Sequence, residues 1–379
     1  MLAHFIHHVL TALTVPLLPF IRTEFALDYT QSGLVASAFT LSYGISQLPA
    51  GWLSDHVGPR ILLTIGIVGV ALAGFLIGIS QTYLMMIIFL VLMGLVGGGY
   101  HPAASPLISM SVESKHRGRA LGLHSIGGSA SYFLAPLIGV AIASAWGWRG
   151  PFIGLSIPTI VFGIIFFLIL GRRARKERKK QRTATTLAET PSTKNYMRLL
   201  VVFMFLSIST QALIRSIIAF IPLFMVDCLG VSEGPAAASI AIIYSSGIWA
   251  GPLGGYLSDR LGRVPVILAV SSVAGPIIFL LNIVSYGVGF IIVLITIGMI
   301  QTMRAPVTEA YIFGHASERN RSTILGIYFF TGMESGGVLT PLFGYLIDQL
   351  GFSLSITIAS ALVVGITITC SMFLRGTHD

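Results

Sequence analysis

Charge is what this sequence has least of: Asp, Glu, Lys and Arg together supply 10% of its residues. An ordinary soluble domain carries roughly 25%, so a water-covered surface of normal composition is excluded. Cysteine is nearly absent too. Cys228 and Cys370 stand far apart, with no spacing suited to a metal centre or a disulfide framework, and neither argues for redox chemistry. There is no His-Glu-x-x-His, no Gly-x-Ser-x-Gly and no clustered set of metal ligands, which speaks against an intramembrane enzyme. A Gly-x-x-x-x-Gly-Lys-Ser/Thr loop is missing, so ATP is not expected to drive the protein directly, and no cofactor is expected. The first apolar stretch has no basic segment before it and no small-residue cleavage site after it. It reads as a retained helix, not a signal peptide. Its counterpart halfway along follows a polar linker, so a few residues upstream of Met1 are expected.

What the chain does have is hydrophobic length, at 54% of its residues. Twelve apolar spans stand out, roughly 2–21, 32–54, 60–80, 83–108, 118–143, 150–171, 197–221, 236–257, 265–283, 286–311, 322–346 and 352–374. Each reaches or nearly reaches the ~20 residues that cross ~30 Å of hydrocarbon as a helix. Runs such as Ile87–Leu95 and Ile291–Ile297 are apolar on every face, which excludes the alternation of a membrane β-barrel. Residues 172–196 are the one long polar stretch, basic at first and then rich in Thr, Ala, Pro and Ser. They read as a solvated cytoplasmic linker between six spans (residues 1–171) and six more (197–379).

The formal charge of +9 is distributed by side. Arg60, Lys115, Arg117, Arg119, the basic linker, Lys194, Arg198, Arg260, Arg263, Arg319, Arg321 and Arg375 all fall on one side of the spans. The other side has only Arg22 and Arg149, beside Glu24, Asp28, Asp227, Glu233 and Asp348. The positive-inside rule therefore predicts cytoplasmic termini and a cytoplasmic linker in a cell (inner) membrane, bacterial or archaeal. Basic loops beside anionic lipid account for the charge, and nucleic acid is not expected as a partner.

The chain is also duplicated. Gly51-Trp52-Leu53-Ser54-Asp55-His56-Val57-Gly58 recurs 204 residues later as Gly255-Tyr256-Leu257-Ser258-Asp259-Arg260-Leu261-Gly262. The same shift carries Pro102 onto Pro306, Arg117 onto Arg321, Leu121-Gly122 onto Leu325-Gly326, and Gly147-Trp148 onto Gly351-Phe352. One register holding across four stretches is the mark of an internally repeated secondary transporter. Because six spans is an even number, both halves enter the membrane from the same side and are parallel repeats.

With these residues the chain resembles the major facilitator superfamily over its whole length. The resemblance implies an all-α membrane protein of twelve transmembrane helices, arranged as two six-helix bundles related by a pseudo-twofold. It also implies that the duplicated loop is a conformational switch, carried here by Gly51, Asp55, Gly58 and Arg60 and by Gly255, Asp259, Gly262 and Arg263. Such aspartates suit a helix N-terminus and a nearby arginine. Gly99-Tyr100-His101-Pro102-Ala103-Ala104, Gly127-Gly128 and Ala135-Pro136-Leu137-Ile138-Gly139 are similar to the fosmidomycin-resistance type of bacterial efflux protein. The last stretch also resembles, in degenerate form, a fifth-helix motif of antiporters. The arginine that many drug/proton antiporters carry in the fourth helix is missing between Met85 and Met110.

Ionisable groups inside apolar spans are the remaining candidates, since each costs at least ~2.5–3.5 kcal/mol to insert. Glu334 lies near the middle of its span and is the expected proton-coupling residue, the bland alternative being a fixed ion pair with a neighbouring arginine. His101, before Pro102, is either a proton relay or substrate donor, or a partner for the carbonyl that the proline frees. Arg215 and Arg304 are expected to favour an anionic substrate through bidentate bonds, or else to neutralise Glu334 and Glu309. His4, His7, Thr11 and Thr14 share one helical face, and Gln211 and Arg215 are the shifted partners of His7 and Thr11. His7, Thr11, Gln211, Tyr43, Tyr244 and Tyr328 complete the expected substrate contacts, Glu309 is a gate candidate, and His124 is expected at the interface. The leading expectation is a monomeric transporter that exports a small anionic or amphipathic organic compound in exchange for protons. The alternative is an importer of an organic anion by proton symport.

Overall fold

The computed structural model describes residues 1–113, 116–177, 194–315 and 321–374, and all its regular structure is helical. Helix α1 (Leu2–Thr11) and α2 (Leu18–Phe25) are followed by α3 (Tyr29–Val57), α4 (Pro59–Thr64) and α5 (Val70–Gly78). Next come α6 (Tyr83–Gly97), α7 (Tyr100–Met110), α8 (Arg117–Trp146) and α9 (Arg149–Glu177). The second half has α10 (Lys194–Asp227), α11 (Glu233–Ser245), α12 (Ala250–Leu261), α13 (Arg263–Phe279), α14 (Val288–His315) and α15 (Arg321–Leu374). Most of the 172–196 linker lies outside the described residues.

Among the described residues, nine helical stretches are long and apolar enough to cross a membrane. The first expected span, 2–21, is interrupted between α1 and α2, where Pro16 lies, so neither piece is long enough alone. The second, within α3, has the length but carries Ser, Thr and Gln along it. The last two spans run together as Phe330–Leu374 because their helices abut at Gly351, whose backbone (φ 74, ψ 169) is not helical.

Helix α6 shows why these surfaces suit lipid. Met86, Leu90, Met93 and Gly97 recur at helical spacing and are buried. Leu84, Ile88, Leu92 and Leu95 take the opposite face and are exposed, Leu84 by 64%. A soluble helix places polar residues on that outer face, whereas here both faces are apolar and only one has protein against it. Hydrocarbon satisfies the other.

The chain folds as two compact units. One comprises Met1–Ala26 and Ala38–Ala188, the other Leu27–Ser37 and Glu189–Asp379. In the first, α1 packs on α8 and α5 on α9; in the second, α10 and α13 pack on α15, and α12 on α14. The opening turns of α3 belong to the second unit. There the Asp348 carboxylate accepts from the N–H groups of Tyr29 (2.9 Å) and Thr30 (2.8 Å), so a carboxylate caps free amides at a helix start.

The 204-residue register reappears in the backbone. Gly58 (φ 86, ψ 148) and Gly262 (φ 88, ψ 153) take the same left-handed turn between helices, one in each unit. Gly147 (φ 68, ψ 173) and Gly351 (φ 74, ψ 169) repeat a second one. These are conformations in which a Cβ is disfavoured, so the sequence identity at these positions has a steric cause.

Candidate functional site

Polar groups gather inside each unit. In the first, α1 supplies His4, His7 and His8, all buried, and α7 supplies the half-buried His101. Residues Ile65–Gly69, between α4 and α5, form a π-helical turn. Such a turn disturbs the regular backbone ladder, and His7 Nδ1 bonds to the carbonyl of Gly66 within it at 2.9 Å. His7 Nε2 meets the Tyr43 hydroxyl at 3.3 Å, and its ring stacks on Tyr100 with centroids 4.1 Å apart. His8 Nδ1 meets Thr11 Oγ1 at 3.1 Å, and Thr11 donates its hydroxyl to the His8 carbonyl at 3.2 Å. His8 Nε2 and His101 Nε2 are 3.3 Å apart.

The shared face expected for His4, His7 and Thr11 is thus inside the first unit, together with Tyr43 and His101. Thr14 lies beyond the end of α1, and its buried hydroxyl has no partner among the described residues. His124, expected at the membrane interface, is buried in the unit, with its ring stacked 4.1 Å from that of His4. Its carbonyl accepts from His4 Nδ1 at 2.9 Å, so α8 holds α1 through backbone and ring together. His8 was not among the expected contacts although it had a signal in the sequence, lying four residues from His4 and three from Thr11 on one helical face.

In the second unit Arg304 is almost fully buried, with 1% of its surface exposed. Its Nη1 donates to Ser271 Oγ at 2.9 Å; its Nη2 donates to the carbonyl of Ser207 at 3.2 Å and to Thr210 Oγ1. Ser207 and Thr308 join at 2.7 Å beside it. A guanidinium met by hydroxyls and carbonyls ties α14 to α10 and α13, and each bond to a charged donor is stronger than a neutral one. Its Nε is a buried donor without a partner among the described residues. Arg304 is the 204-residue counterpart of Tyr100, so the two units fill one position with an aromatic stack and with a cation respectively.

Gln211 is buried and Arg215 half-buried on α10, one turn apart. Their side chains run past Gly332 and Gly336 of α15, about 4 Å from where a Cβ would stand at each. Tyr328 is buried, while Tyr244 and Glu309 are half-buried. The side chains of Glu334 and Asp55, and the surroundings of Gly51, lie outside what the structure describes.

In the duplicated loops, Arg60 follows the left-handed Gly58. Its Nε donates to the carbonyl of Phe167 at 2.9 Å, and its guanidinium covers the Phe167 ring at 3.7 Å, fastening α4 to α9. Asp259 is exposed and Arg263 half-buried. Near α2, Glu24 accepts from Trp148 Nε1 at 2.6 Å and pairs with Arg149, whose Nη2 donates to the Ser80 carbonyl at 2.7 Å. Partial burial opposes ionisation of Glu24. The bonds from Arg149 and Trp148 outweigh it and hold the carboxyl below its ordinary range.

Two internally repeated helical units, apolar outside and polar within, define an integral membrane protein of the transporter class. The description of the Major Facilitator Superfamily matches residues 1–341, and the chain belongs to that superfamily. It is therefore a multi-pass membrane transporter of a small molecule, not an enzyme. Among curated relatives it is 30% identical over 157 residues to the "Probable L-galactonate transporter" of Escherichia coli K12, covering 41% of this chain and 35% of that protein. It is 24% identical over 394 residues to the "Probable sulfoacetate transporter SauU" of Cupriavidus necator, covering 94% of this chain and 88% of that one. Among solved structures, a POT family transporter in complex with 5-aminolevulinic acid superposes with a TM-score of 0.82 at 10% identity, covering 98% and 94% of the two chains. That likeness is one of fold.

Proposed function

We propose that the protein is a proton-coupled secondary transporter that moves a small organic anion by alternating access of two six-helix bundles. The observation that carries this reading is the repetition of two positive-φ glycine turns, one pair in each unit, on a 204-residue register. The twelve-span arrangement gains support from Gly351, which divides the longest helical run into two membrane-length pieces. The duplicated loops of Asp55 and Asp259 are the switch elements at the cytoplasmic side of a bacterial inner membrane.

The anionic substrate class rests on two supports. One is the full-length similarity to a relative named for sulfoacetate. The other is Arg215, a half-buried cation within an apolar span on the turn after Gln211, which can grip a carboxylate, sulfonate or phosphonate with two parallel bonds. Arg304 is engaged with hydroxyls and carbonyls of its own unit, so Arg215 is the leading anion contact and Arg304 Nε a second donor. Gln211, Tyr244 and Tyr328 in the second unit, and His7, Thr11 and Tyr43 in the first, complete the proposed contacts. Glu334 and His101 are the proposed proton carriers, and Glu309 is the proposed gate.

Two directions of transport are compatible with this machinery. Export in exchange for protons follows from the antiporter-like Ala135-Pro136-Leu137-Ile138-Gly139 and the likeness to fosmidomycin-resistance efflux proteins. Import with protons is the alternative; relatives named for sulfoacetate and L-galactonate support an organic-acid substrate in either direction. The test of the substrate class is counterflow in proteoliposomes, with labelled sulfoacetate, galactonate and a small phosphonate set against an organic cation. Accumulation of an anion by preloaded vesicles is the expected result. Counterflow of the cation alone would overturn the substrate class.

A further inference from the structure

The geometry points to a three-imidazole site for a late first-row transition-metal ion, formed by His4 and His8 of α1 and His101 of α7. One ring nitrogen from each lies within 4.8 Å of the other two. His8 Nε2 and His101 Nε2 are 3.3 Å apart. Two imidazole nitrogens bound at ~2.0–2.1 Å to a tetrahedral ion stand about 3.4 Å from each other, so this pair already has the spacing of two ligands.

The hydrogen bonds fix which nitrogens are available. His4 Nδ1 faces the carbonyl of His124 at 2.9 Å, and a carbonyl can only accept, so the proton is on Nδ1 and Nε2 carries a lone pair. Thr11 spends its hydroxyl proton on the carbonyl of His8, so it accepts from His8 Nδ1, and His8 Nε2 is likewise a lone pair. Two neutral imidazoles thus each have one nitrogen clamped by an oxygen partner while the other carries a lone pair. This is the outer-shell arrangement that orients a metal-ligating histidine. A single N–H on His101 Nε2 satisfies only one lone pair, whereas a cation satisfies all three nitrogens at once. Imidazole donors without carboxylate or thiolate suit Zn2+, Cu2+ or Ni2+ and not Mg2+ or Ca2+. His7 is not a ligand: its two nitrogens are engaged by Gly66 and Tyr43. The site joins α1 to α7 inside one unit, and with His101 bound to the metal Glu334 is left as the proton carrier.

The test uses full-length protein purified without a histidine tag, stripped with a chelator and titrated with Zn2+ and, for spectroscopy, Co2+. The expected result is saturable binding of a single Zn2+ per chain, a rise in melting temperature on binding, and an absorption spectrum of Co2+ in a low-coordinate nitrogen site. His4→Gln, His8→Gln and His101→Gln should each weaken binding at least about tenfold. Thr11→Val, which keeps every ligand and removes only the partner of His8 Nδ1, should weaken it by ~10-fold or more. His7→Gln should bind Zn2+ as the unaltered protein does. Should the ligand variants misfold, X-ray absorption on the unaltered protein decides: a first shell of about three imidazole nitrogens supports the site. Absence of saturable binding by the folded protein, a shell dominated by carboxylate or thiolate, or affinity unchanged in the three ligand variants would overturn it.

Discussion

Gly94 of α6 lies directly against Ser42 of α3, so close that a Cβ on Gly94 would strike Ser42 Oγ and come within 2.5 Å of the Phe39 carbonyl. The relationship recurs 204 residues on. A Cβ on Gly298 would strike the Ile243 carbonyl and lie 2.6 Å from Ser246 Oγ. Backbone has little room to yield in a packed helix pair, so a single methyl at either place costs about 1–3 kcal/mol as overpacking. Gly94→Ala and Gly298→Ala should each lower the melting temperature in detergent and the yield of monodisperse protein. Gly365→Ala, where nothing stands within 4 Å of the new methyl, should leave both near their starting values.

Glu24 gives a pH dependence with a definite sign. Its carboxyl is held below the ordinary range by Arg149 and Trp148 against the opposing effect of burial. A depressed carboxyl contributes stability that is fully present above its unfolded value, about 4.3, and is lost as pH falls through the folded one. The thermal stability gap between the unaltered protein and Glu24→Gln should therefore be widest near neutrality, begin to shrink as pH drops below about 4.3, and close as pH falls through the lower folded value. A gap that widened on acidification would contradict the assignment.

Asp55→Asn should slow transport more than it lowers folded protein, because the proposal makes Asp55 a latch and not a core residue. Asp259→Asn should be milder, since Arg260 and Arg263 bring further charge to that loop. Initial transport rates normalised to folded protein, read from size-exclusion profiles, check both. Loss of folded protein in Asp55→Asn, with normal rates per molecule, would remove the latch.

Much of this was legible in the sequence because duplication and hydrophobic length are local properties. Gly58, Gly262, Gly147 and Gly351 could be matched by register alone, and their matched left-handed backbones explain why glycine recurs. The polar clusters were harder to read. His8 shares the helical face of His4, His7 and Thr11, but its partner His101 comes from another helix, which spacing along α1 does not mark. No local pattern marks His124 as buried; the packing of α8 on α1 buries it. Arg304 read as an anion contact or a partner for Glu334 and Glu309 because its acceptors in the structure are carbonyls and hydroxyls, groups that every helix has and no motif marks.

Arg215→Lys retains the charge and loses the planar fork, so anion affinity should fall about tenfold, equivalent to ~1.4 kcal/mol. Arg215→Ala should weaken binding further. Binding by fluorescence or calorimetry on purified protein checks the order. Unchanged affinity in Arg215→Ala would remove this residue from the substrate site.

The central claim, that transport is tied to protons through Glu334, is tested most directly by substrate flux in proteoliposomes under an imposed pH gradient. Glu334→Gln mimics the protonated carboxyl at nearly constant shape, and a charge at that depth is tolerable only when paired or intermittently neutralised. The unaltered protein should move its organic anion uphill when the gradient is applied and stop when it is collapsed. Glu334→Gln should lose uphill movement while still exchanging substrate across the membrane at equal pH. Uphill transport with unaltered proton dependence in Glu334→Gln would contradict the account.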